Sequence, residues 1–265
     1  MNTRRCVRYV RTAGFVYHIH MNALWINRLC AYKHSPLSLE SAKKIIAVKI
    51  AGQNKLLNKY HRSGIATNIG FKQTASEILL EEARMAKNFW KEFKKLLPGW
   101  CEFPGRKPRN ADMVNKLLDV GYHHLMNTLR HILIKYEVPA VMGLLHSPRN
   151  SDSEPLIYDL VEMFRSDIVE TEILRYLRLK KKRPLQVEKE IPHLLHEINQ
   201  RLEKEHYLKD FKMCHTYRYY MEVQVLKFVK AVNKKHIFKP VHLPVRHDNR
   251  CLTVHERHDS LETEA

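Results

Sequence analysis

Apolar side chains recur at helical spacing through most of this 265-residue chain, which leaves little room for a fold built on β-sheets. In residues 38–59 the apolar stripe contains Ile45, Val48 and Leu56. A second helix is predicted from Thr74 to Pro98, because Thr74 is followed by Glu77 at capping-box spacing and Pro98 ends the pattern. The sequence therefore predicts a mainly α fold.

Helical patterns continue towards the C-terminus. A helix is expected over residues 112–135, and another begins at Pro155, because proline is tolerated in a first turn. Two more are expected, one from Pro192 and a long one through residues 217–235. The residues of 112–135 expected to face inward are Val114, Leu118, Gly121, Leu125 and Leu129.

Three units follow from these patterns. Residues 1–37 are predicted to form a shortened N-terminal β segment, since "FVYHIH" alternates as a strand does. Residues 38–240 form the helical domain, and residues 241–265, rich in His, Pro and Asp, form a loosely ordered tail.

Composition narrows the partners. The chain has 46 Lys and Arg against 28 Asp and Glu, a net charge of +18, which favours a polyanion such as DNA or RNA, or an anionic membrane. A basic surface without specificity is the alternative. No apolar run approaches the ~18 residues of a membrane span. Five scattered cysteines without a CxxC pair predict reduced thiols and a cytoplasmic location.

One carboxylate stands on an apolar helical stripe. Ile78, Glu82, Ala86 and Phe89 follow one another at helical spacing, so Glu82 is expected to face the core. A carboxylate there needs positive charge close by. That charge is either a metal ion or the side chain of a Lys or Arg, and the two alternatives stay open.

A second acidic site follows the apolar run that ends in His146. The helix after Pro155 has a continuous apolar arc, and Asp159 and Glu162 lie at its rim. An imidazole with two or three carboxylates is a hard, oxygen-rich set of ligands, which suits Mg²⁺ or Mn²⁺. Taken alone, such a pattern also fits a packed histidine and two solvated acids.

The order of several motifs is more specific. "SAKKIIAVKIAGQNKLL", "LLEEARMAKNFWKEF", "RKPRNADMVNKLLDVGYHHLMNTL" and "VPAVMGLLHSPRNSDSEPLIYDLVEMFRSDIVE" occur in that order. Together they resemble the CRISPR-associated endonuclease and integrase of spacer acquisition, the Cas1 family, over residues 38–240.

That resemblance implies a helical catalytic domain with a Mg²⁺ or Mn²⁺ site. Its metal ligands would be Glu82, His146 and Glu162, with Asp159 as a catalytic partner of Glu162; which of the two acids touches metal stays open. Of Glu81 and Glu82, the second is chosen for its register and for its place on the apolar stripe.

Further residues are expected at the DNA. Asn115 and Tyr122 match the family's site-shaping helix, with helix packing as the alternative. Arg165 would contact phosphate, or would pair with Glu162 three residues away. A basic run is also expected to follow the DNA backbone, although such runs are usually solvated faces: Lys180, Lys181, Lys182 and Arg183.

The resemblance implies a metal-dependent endonuclease and integrase in antiviral defence. It would insert short fragments of double-stranded DNA into a CRISPR repeat array, by attack of a 3′-hydroxyl on a phosphodiester. The expected partners are DNA, a second copy in a homodimer or higher oligomer, and Cas2, although the short β segment argues against Cas2. A transposon-borne integrase (casposase-like) and a basic helical nucleic-acid-binding protein without catalysis are the alternatives.

Overall fold

The computed structural model of the protein describes residues 7–12, 15–20, 23–148, 150, 153–180 and 186–241. Its helices are α1 (Ala23–Lys33), α2 (Pro36–Lys59), α3 (Ala75–Lys94), α4 (Met113–Lys135), α5 (Pro155–Arg165), α6 (Thr171–Leu179), α7 (Val187–Glu203) and α8 (Tyr217–Lys234). Its strands are β1 (Val7–Thr12), β2 (Phe15–His20), β3 (Glu205–Leu208) and β4 (Met213–Thr216). The mainly α prediction is confirmed.

The strands form two antiparallel hairpins. β1 pairs with β2 from Val7 opposite His20 to Thr12 opposite Phe15, and β3 pairs with β4 between α7 and α8. The residues predicted as an N-terminal β segment also contain α1, which packs on α2 and α8. Trp25 of α1 donates to the carbonyl of Pro139 at 3.2 Å, so α1 is fastened to the helical body.

Two helices form the centre of that body. α2 packs along α5, and α4 covers both α5 and the single π-helical turn at Ser166–Glu170 that leads into α6. The close approach of α4 depends on Gly121, because a Cβ there would lie 2.6 Å from Cγ1 of Val169. The site described below lies where α2, α3 and α5 meet.

The local signals in the sequence mostly hold. Thr74 caps α3 and Asp112 caps α4 by accepting from backbone amides, and Pro155 begins α5. The helix expected from Pro192 instead begins at Val187. A proline this early in a helix removes a single backbone hydrogen bond, so the preceding turn can still form.

Three other expectations concern the whole chain. None of the helices in the described ranges is long and apolar enough to cross a membrane. Cys30 and Cys101 are free thiols, but Cys214 is disulfide-bonded, which the prediction of reduced thiols did not anticipate. The predicted tail lies outside the described residues except for Val241, which is buried.

Candidate active site

Three helices bring two carboxylates to one ammonium group. Lys49 of α2 forms ion pairs with Glu82 of α3 and with Glu162 of α5, the latter at 2.7 Å. The Lys49 side chain is 6% exposed, Glu162 is 11% exposed and Glu82 is 25% exposed. The acids predicted from two distant motifs therefore meet at one point, and the cation between them is a lysine.

The choice of Glu82 over Glu81 agrees with this geometry, although one reason for it was wrong. The buried stripe of α3 contains Ile78, Glu81 and Met85, so Glu82 stands at its border. Glu81 turns the other way, where Arg84 donates to both of its oxygens at 2.9 and 2.5 Å. Glu82 is the acid of the two that faces Glu162.

His146 is fixed by Asp159. Nδ1 of His146 lies 2.7 Å from Oδ1 of Asp159, and this carboxylate also accepts from the backbone amides of Leu144, Leu145 and His146. A carboxylate can only accept, so the proton of this bond belongs to Nδ1, which leaves Nε2 as the free nitrogen of a neutral ring. Asp159 is 2% exposed, not at a rim as predicted, and its hydrogen bonds are made within the protein.

The charges of the site act on one another. The hydrogen bond that His146 donates to Asp159 raises the pKa of His146 despite partial burial, and the charges of Asp159, Glu162 and Glu82 raise it further. Burial alone would raise the pKa of Glu162, but the charges of Arg165 and Lys49 outweigh it and lower that pKa to about 2. Burial likewise disfavours the Lys49 ammonium, yet the charge of Glu162 keeps its pKa above the usual value.

Arg165 makes the pairing that the sequence offered as its alternative role. Its Nη1 donates to Oε1 of Glu162 at 2.6 Å, and its guanidinium lies 4.0 Å from the centre of the Tyr122 ring. The hydroxyl of Tyr122 donates to the buried Glu170 at 2.8 Å. Arg106 lies on the same ring at 5.3 Å, so Tyr122 links two arginines to the acid site.

Asn115 holds a loop. It is fully buried, and its oxygen accepts from Arg106 and from the amide of Lys107, both at 2.9 Å. Its amide donates to the carbonyl of Gly105 and to Asp112, at 2.9 and 2.7 Å. Asn115 thus contacts Arg106 directly and fastens the 105–107 loop to α4.

Of the predicted basic run, only Lys180 is described. It pairs with Glu190 at 2.9 Å and lies over the Tyr176 ring at 4.6 Å. Lys181, Lys182 and Arg183 lie outside the described residues.

The side chains of this site are of the types that bind a hard divalent ion. Among the described residues no three His, Cys, Asp or Glu side chains are grouped closely enough to hold a metal as they stand. However, Oε2 of Glu162 is buried and receives no well-directed hydrogen bond, although the Lys49 ammonium is close to it. Two carboxylates and an imidazole nitrogen are ligands that Mg²⁺ or Mn²⁺ accepts.

Sequence reasoning missed two members of this site. Lys49 stands in the apolar run "IIAVKIAG". A lysine inside such a run is expected to be buried, and a buried ammonium needs acidic partners, so this signal could have found it. Gly143 was also missed, although a Cβ there would lie 2.8 Å from the carbonyl oxygen of His146 and 2.9 Å from that of Pro155. No sequence pattern predicts that the backbone at Gly143 lies so close to these two oxygens.

The fold and the site together define a class: a basic, mainly helical protein in which two acids meet one buried lysine at the junction of three helices, with a His–Asp pair beside Glu162. The family model described as CRISPR associated protein Cas1 matches residues 8–201. The chain belongs to the Cas1 family, and the resemblance expected from the motifs is confirmed.

Individual relatives agree with this membership. The CRISPR-associated endonuclease Cas1 1 of Saccharolobus solfataricus is 32% identical over 169 residues, 58% of this chain and 47% of that protein. A Cas4/Cas1 fusion of Leptospira interrogans is 26% identical over 58% of this chain and 32% of its own length. The chain thus spans about half the length, or less, of these relatives.

Solved structures share the fold. A casposase bound to integration product has a TM-score of 0.71 at 20% identity, covering 91% of this chain and 75% of the casposase chain. A Cas1 protein from Thermotoga maritima has a TM-score of 0.68 at 15% identity, over 80% and 69% of the two chains. A Cas6-RT-Cas1–Cas2 complex gives 0.68 at 18% identity, over 82% and 26%.

Proposed function

We propose that this chain is a metal-dependent DNA endonuclease and integrase that inserts short DNA fragments into a CRISPR repeat array. Membership of the Cas1 family supports the proposal, as do the endonuclease names of its relatives. The observation that carries it is the meeting of Glu82 and Glu162 at one cation, beside an imidazole whose Nδ1 is held by Asp159.

In the proposed reaction a fragment's 3′-hydroxyl attacks a phosphorus atom of the repeat. A new P–O bond forms, the P–O bond to the repeat's own 3′ oxygen breaks, and that oxygen leaves with a proton. A divalent ion at Glu82, His146 and Glu162 would neutralise charge on the phosphate and favour ionisation of the attacking hydroxyl. Cleavage by water at the same site gives the endonuclease activity.

The chain's own residues have distinct parts in this proposal. Glu162 is ionised at neutral pH, so it offers a carboxylate without first losing a proton. Asp159 orients the His146 ring, in the way that a hydrogen-bonded acid sets the free nitrogen of a metal-binding histidine. We therefore assign direct metal contact to Glu162 and a positioning part to Asp159.

The same geometry suggests how the DNA-contacting residues act. Asn115 and Tyr122 are buried and engaged with Arg106 and Arg165, so they position these two arginines instead of touching DNA. Arg165 and the basic run 180–183 would contact phosphates. A phosphate contact by Lys180 would have to compete with its ion pair to Glu190.

A strand-transfer assay tests the proposal. Purified protein, a labelled fragment and repeat DNA with Mn²⁺ should give joined product, and Glu82→Gln and His146→Asn should each remove it. Glu92→Gln, on the same helix but paired with Lys95, is the matched control and should retain joining. Joining that survives in both site variants would disprove the assignment.

Product analysis separates the remaining alternatives. Cleaved but never joined DNA would identify a plain nuclease, and salt-sensitive binding indifferent to metal would identify a binding protein without catalysis. A target that is not a CRISPR repeat would favour a casposase-like integrase. One structural neighbour is a complex of a Cas1-containing chain with Cas2, so adding Cas2 to the assay tests whether that partner is required.

A further inference from the structure

Lys49 is a charged side chain in an unusual place. It lies in the middle of α2 between Val48 and Ile50, and it is one of the few buried lysines among the described residues. Its ammonium forms ion pairs with Glu82 and Glu162 together. A charge removed from water needs such partners, because burial without them is costly.

Glu82 and Glu162 in turn depend on the positive charge of Lys49. Two oxygens that each lie within hydrogen-bond reach of one nitrogen are separated by at most about 6 Å. Without a cation between them, two ionised acids at that separation repel each other strongly in a buried setting. Arg165 relieves only Glu162, to which it donates at 2.6 Å, while it stays stacked on Tyr122.

The Lys49 ammonium occupies the position between the two acids. A divalent ion held by both carboxylates would take the position that the ammonium now occupies. Oε2 of Glu162 receives no well-directed hydrogen bond, so the ammonium neutralises this oxygen without saturating it. A lysine stem is flexible, whereas the stacked guanidinium of Arg165 is rigid, so Lys49 is the group that can withdraw.

We propose that the Lys49 ammonium holds the place of the divalent ion in the metal-free protein and is displaced when the ion binds. This inference rests on the proposed function, because it requires that Glu82 and Glu162 bind metal. It gives Lys49 two effects: it keeps the two carboxylates together before the metal arrives, and it weakens metal binding by competing for them.

A purely structural ion pair predicts something else. If Lys49 only ties α2 to α3 and α5, removing it would loosen the site and metal would bind less tightly or unchanged. Displacement predicts the opposite sign, since the metal no longer has to remove a resident cation.

Calorimetric titration with Mn²⁺ distinguishes displacement of Lys49 from a purely structural ion pair. Lys49→Met should bind Mn²⁺ at least about tenfold more tightly than the unchanged protein. Lys43→Met is the matched control: Lys43 is a buried lysine of the same helix, paired with Glu40 at 2.7 Å, and its loss should leave Mn²⁺ affinity unchanged. Equal or weaker binding by Lys49→Met would overturn the inference.

A measurement on the unchanged protein covers the case in which Lys49→Met does not fold. Brief acetylation followed by mass spectrometry reports how accessible each lysine is. Mg²⁺ should increase the labelling of Lys49 several-fold, because the displaced ammonium moves towards solvent, while Lys43 should stay protected. Labelling of Lys49 that does not respond to Mg²⁺ would argue against displacement.

The two proposals fail in different ways. If neither the unchanged protein nor Lys49→Met binds Mn²⁺, the metal site of the proposed function is wrong and the inference falls with it. If Mn²⁺ binds and Glu82→Gln weakens it, but Lys49→Met binds no more tightly, only the displacement is wrong.

Discussion

Asp159 shows how much of the candidate site depends on a single buried side chain. Its carboxylate accepts from three successive backbone amides and from the ring of His146. The 144–146 segment is therefore wrapped around an acid of α5, and His146 cannot turn without breaking a buried, charge-assisted hydrogen bond. Any change that lifts this segment off Asp159 should disturb the imidazole as well.

Gly143 is the position at which that dependence can be tested. A Cβ at residue 143 would press on Asp159 and lie 2.8 and 2.9 Å from two backbone oxygens, which cannot move aside as a flexible side chain can. We expect Gly143→Ala to lower the free energy of unfolding by about 1–3 kcal/mol. Urea denaturation measures this loss, and the strand-transfer assay should show reduced joining.

Gly99→Ala is the control for that substitution. A Cβ at Gly99 would meet nothing within 4 Å, so the free energy of unfolding of Gly99→Ala should stay within about 0.5 kcal/mol of that of the unchanged protein. If both glycine variants were equally stable, the close packing around Asp159 would not be a requirement of the fold.

At this scale the sequence named Glu82, His146 and Glu162 through the order of the motifs, because each acid or imidazole taken alone also fits an ordinary structural role. That these three side chains bind metal stays a prediction. The arrangement of Asp159 could not be foreseen, because an acid at a predicted helix rim can turn either to solvent or to a neighbouring loop. Only the packing of that loop decides between them.

At the scale of elements, the β3–β4 hairpin contains a buried histidine whose ring nitrogens lack hydrogen-bond partners among the described residues. His206 is 4% exposed and lies edge-on to Tyr217, with ring centres 5.8 Å apart. Burial, followed by the charge of Arg201, lowers the pKa of His206 from 6.5 to about 4.

That shift makes the stability of the fold dependent on pH. The unfolded chain binds a proton at His206 below about pH 6.5, whereas the folded protein does so only below about pH 4. Stability from this residue is therefore complete above pH 6.5 and falls as the pH is lowered towards 4, by about 3 kcal/mol at most. Urea denaturation at pH 7.5, 6.0 and 5.0 measures the loss.

His206→Phe keeps a ring against Tyr217 and removes the titrating group, so it should lose less stability than the unchanged protein between pH 7.5 and 5.0. His193→Phe, at an exposed position of α7, is the control and should follow the unchanged protein. An identical pH dependence in His206→Phe would mean that other groups cause the acid sensitivity.

The elements themselves were predictable to different degrees. Capping residues fixed the starts of α3 and α4, because a side chain that accepts from backbone amides acts locally. The start of α7 and the existence of α1 were not foreseen. α1 owes its position to the helical body, through the hydroxyl of Tyr32, which lies 2.5 Å from Ser41 and donates to the carbonyl of His236 at 2.9 Å.

For the whole molecule, the net charge of +18 predicts how DNA binding should respond to salt. Each phosphate contact releases counterions, so a complex with four contacts should lose about 100-fold in affinity between 50 and 200 mM KCl. Fluorescence anisotropy with a labelled duplex measures this loss. The measurement is made without divalent metal, so that it reports binding by the basic surface and not catalysis.

The salt experiment also has a decisive negative result. An affinity that stays constant over this range would mean that phosphate neutralisation does not hold the complex together. The proposal of a phosphate-binding surface that includes Arg165 and the 180–183 run would then be wrong.

The sequence by itself determined the helical class of the protein, the sign of its charge and its resemblance to the Cas1 family, and it predicted three side chains as ligands. These follow from periodicity, residue chemistry and motif order, which are local properties or sums over the chain. Tertiary structure alone decided that Lys49 stands between Glu82 and Glu162, and that Asp159 turns inward to hold His146. The physical reason is that α2, α3 and α5 are far apart in sequence, so which charges neutralise one another depends on how the helices pack.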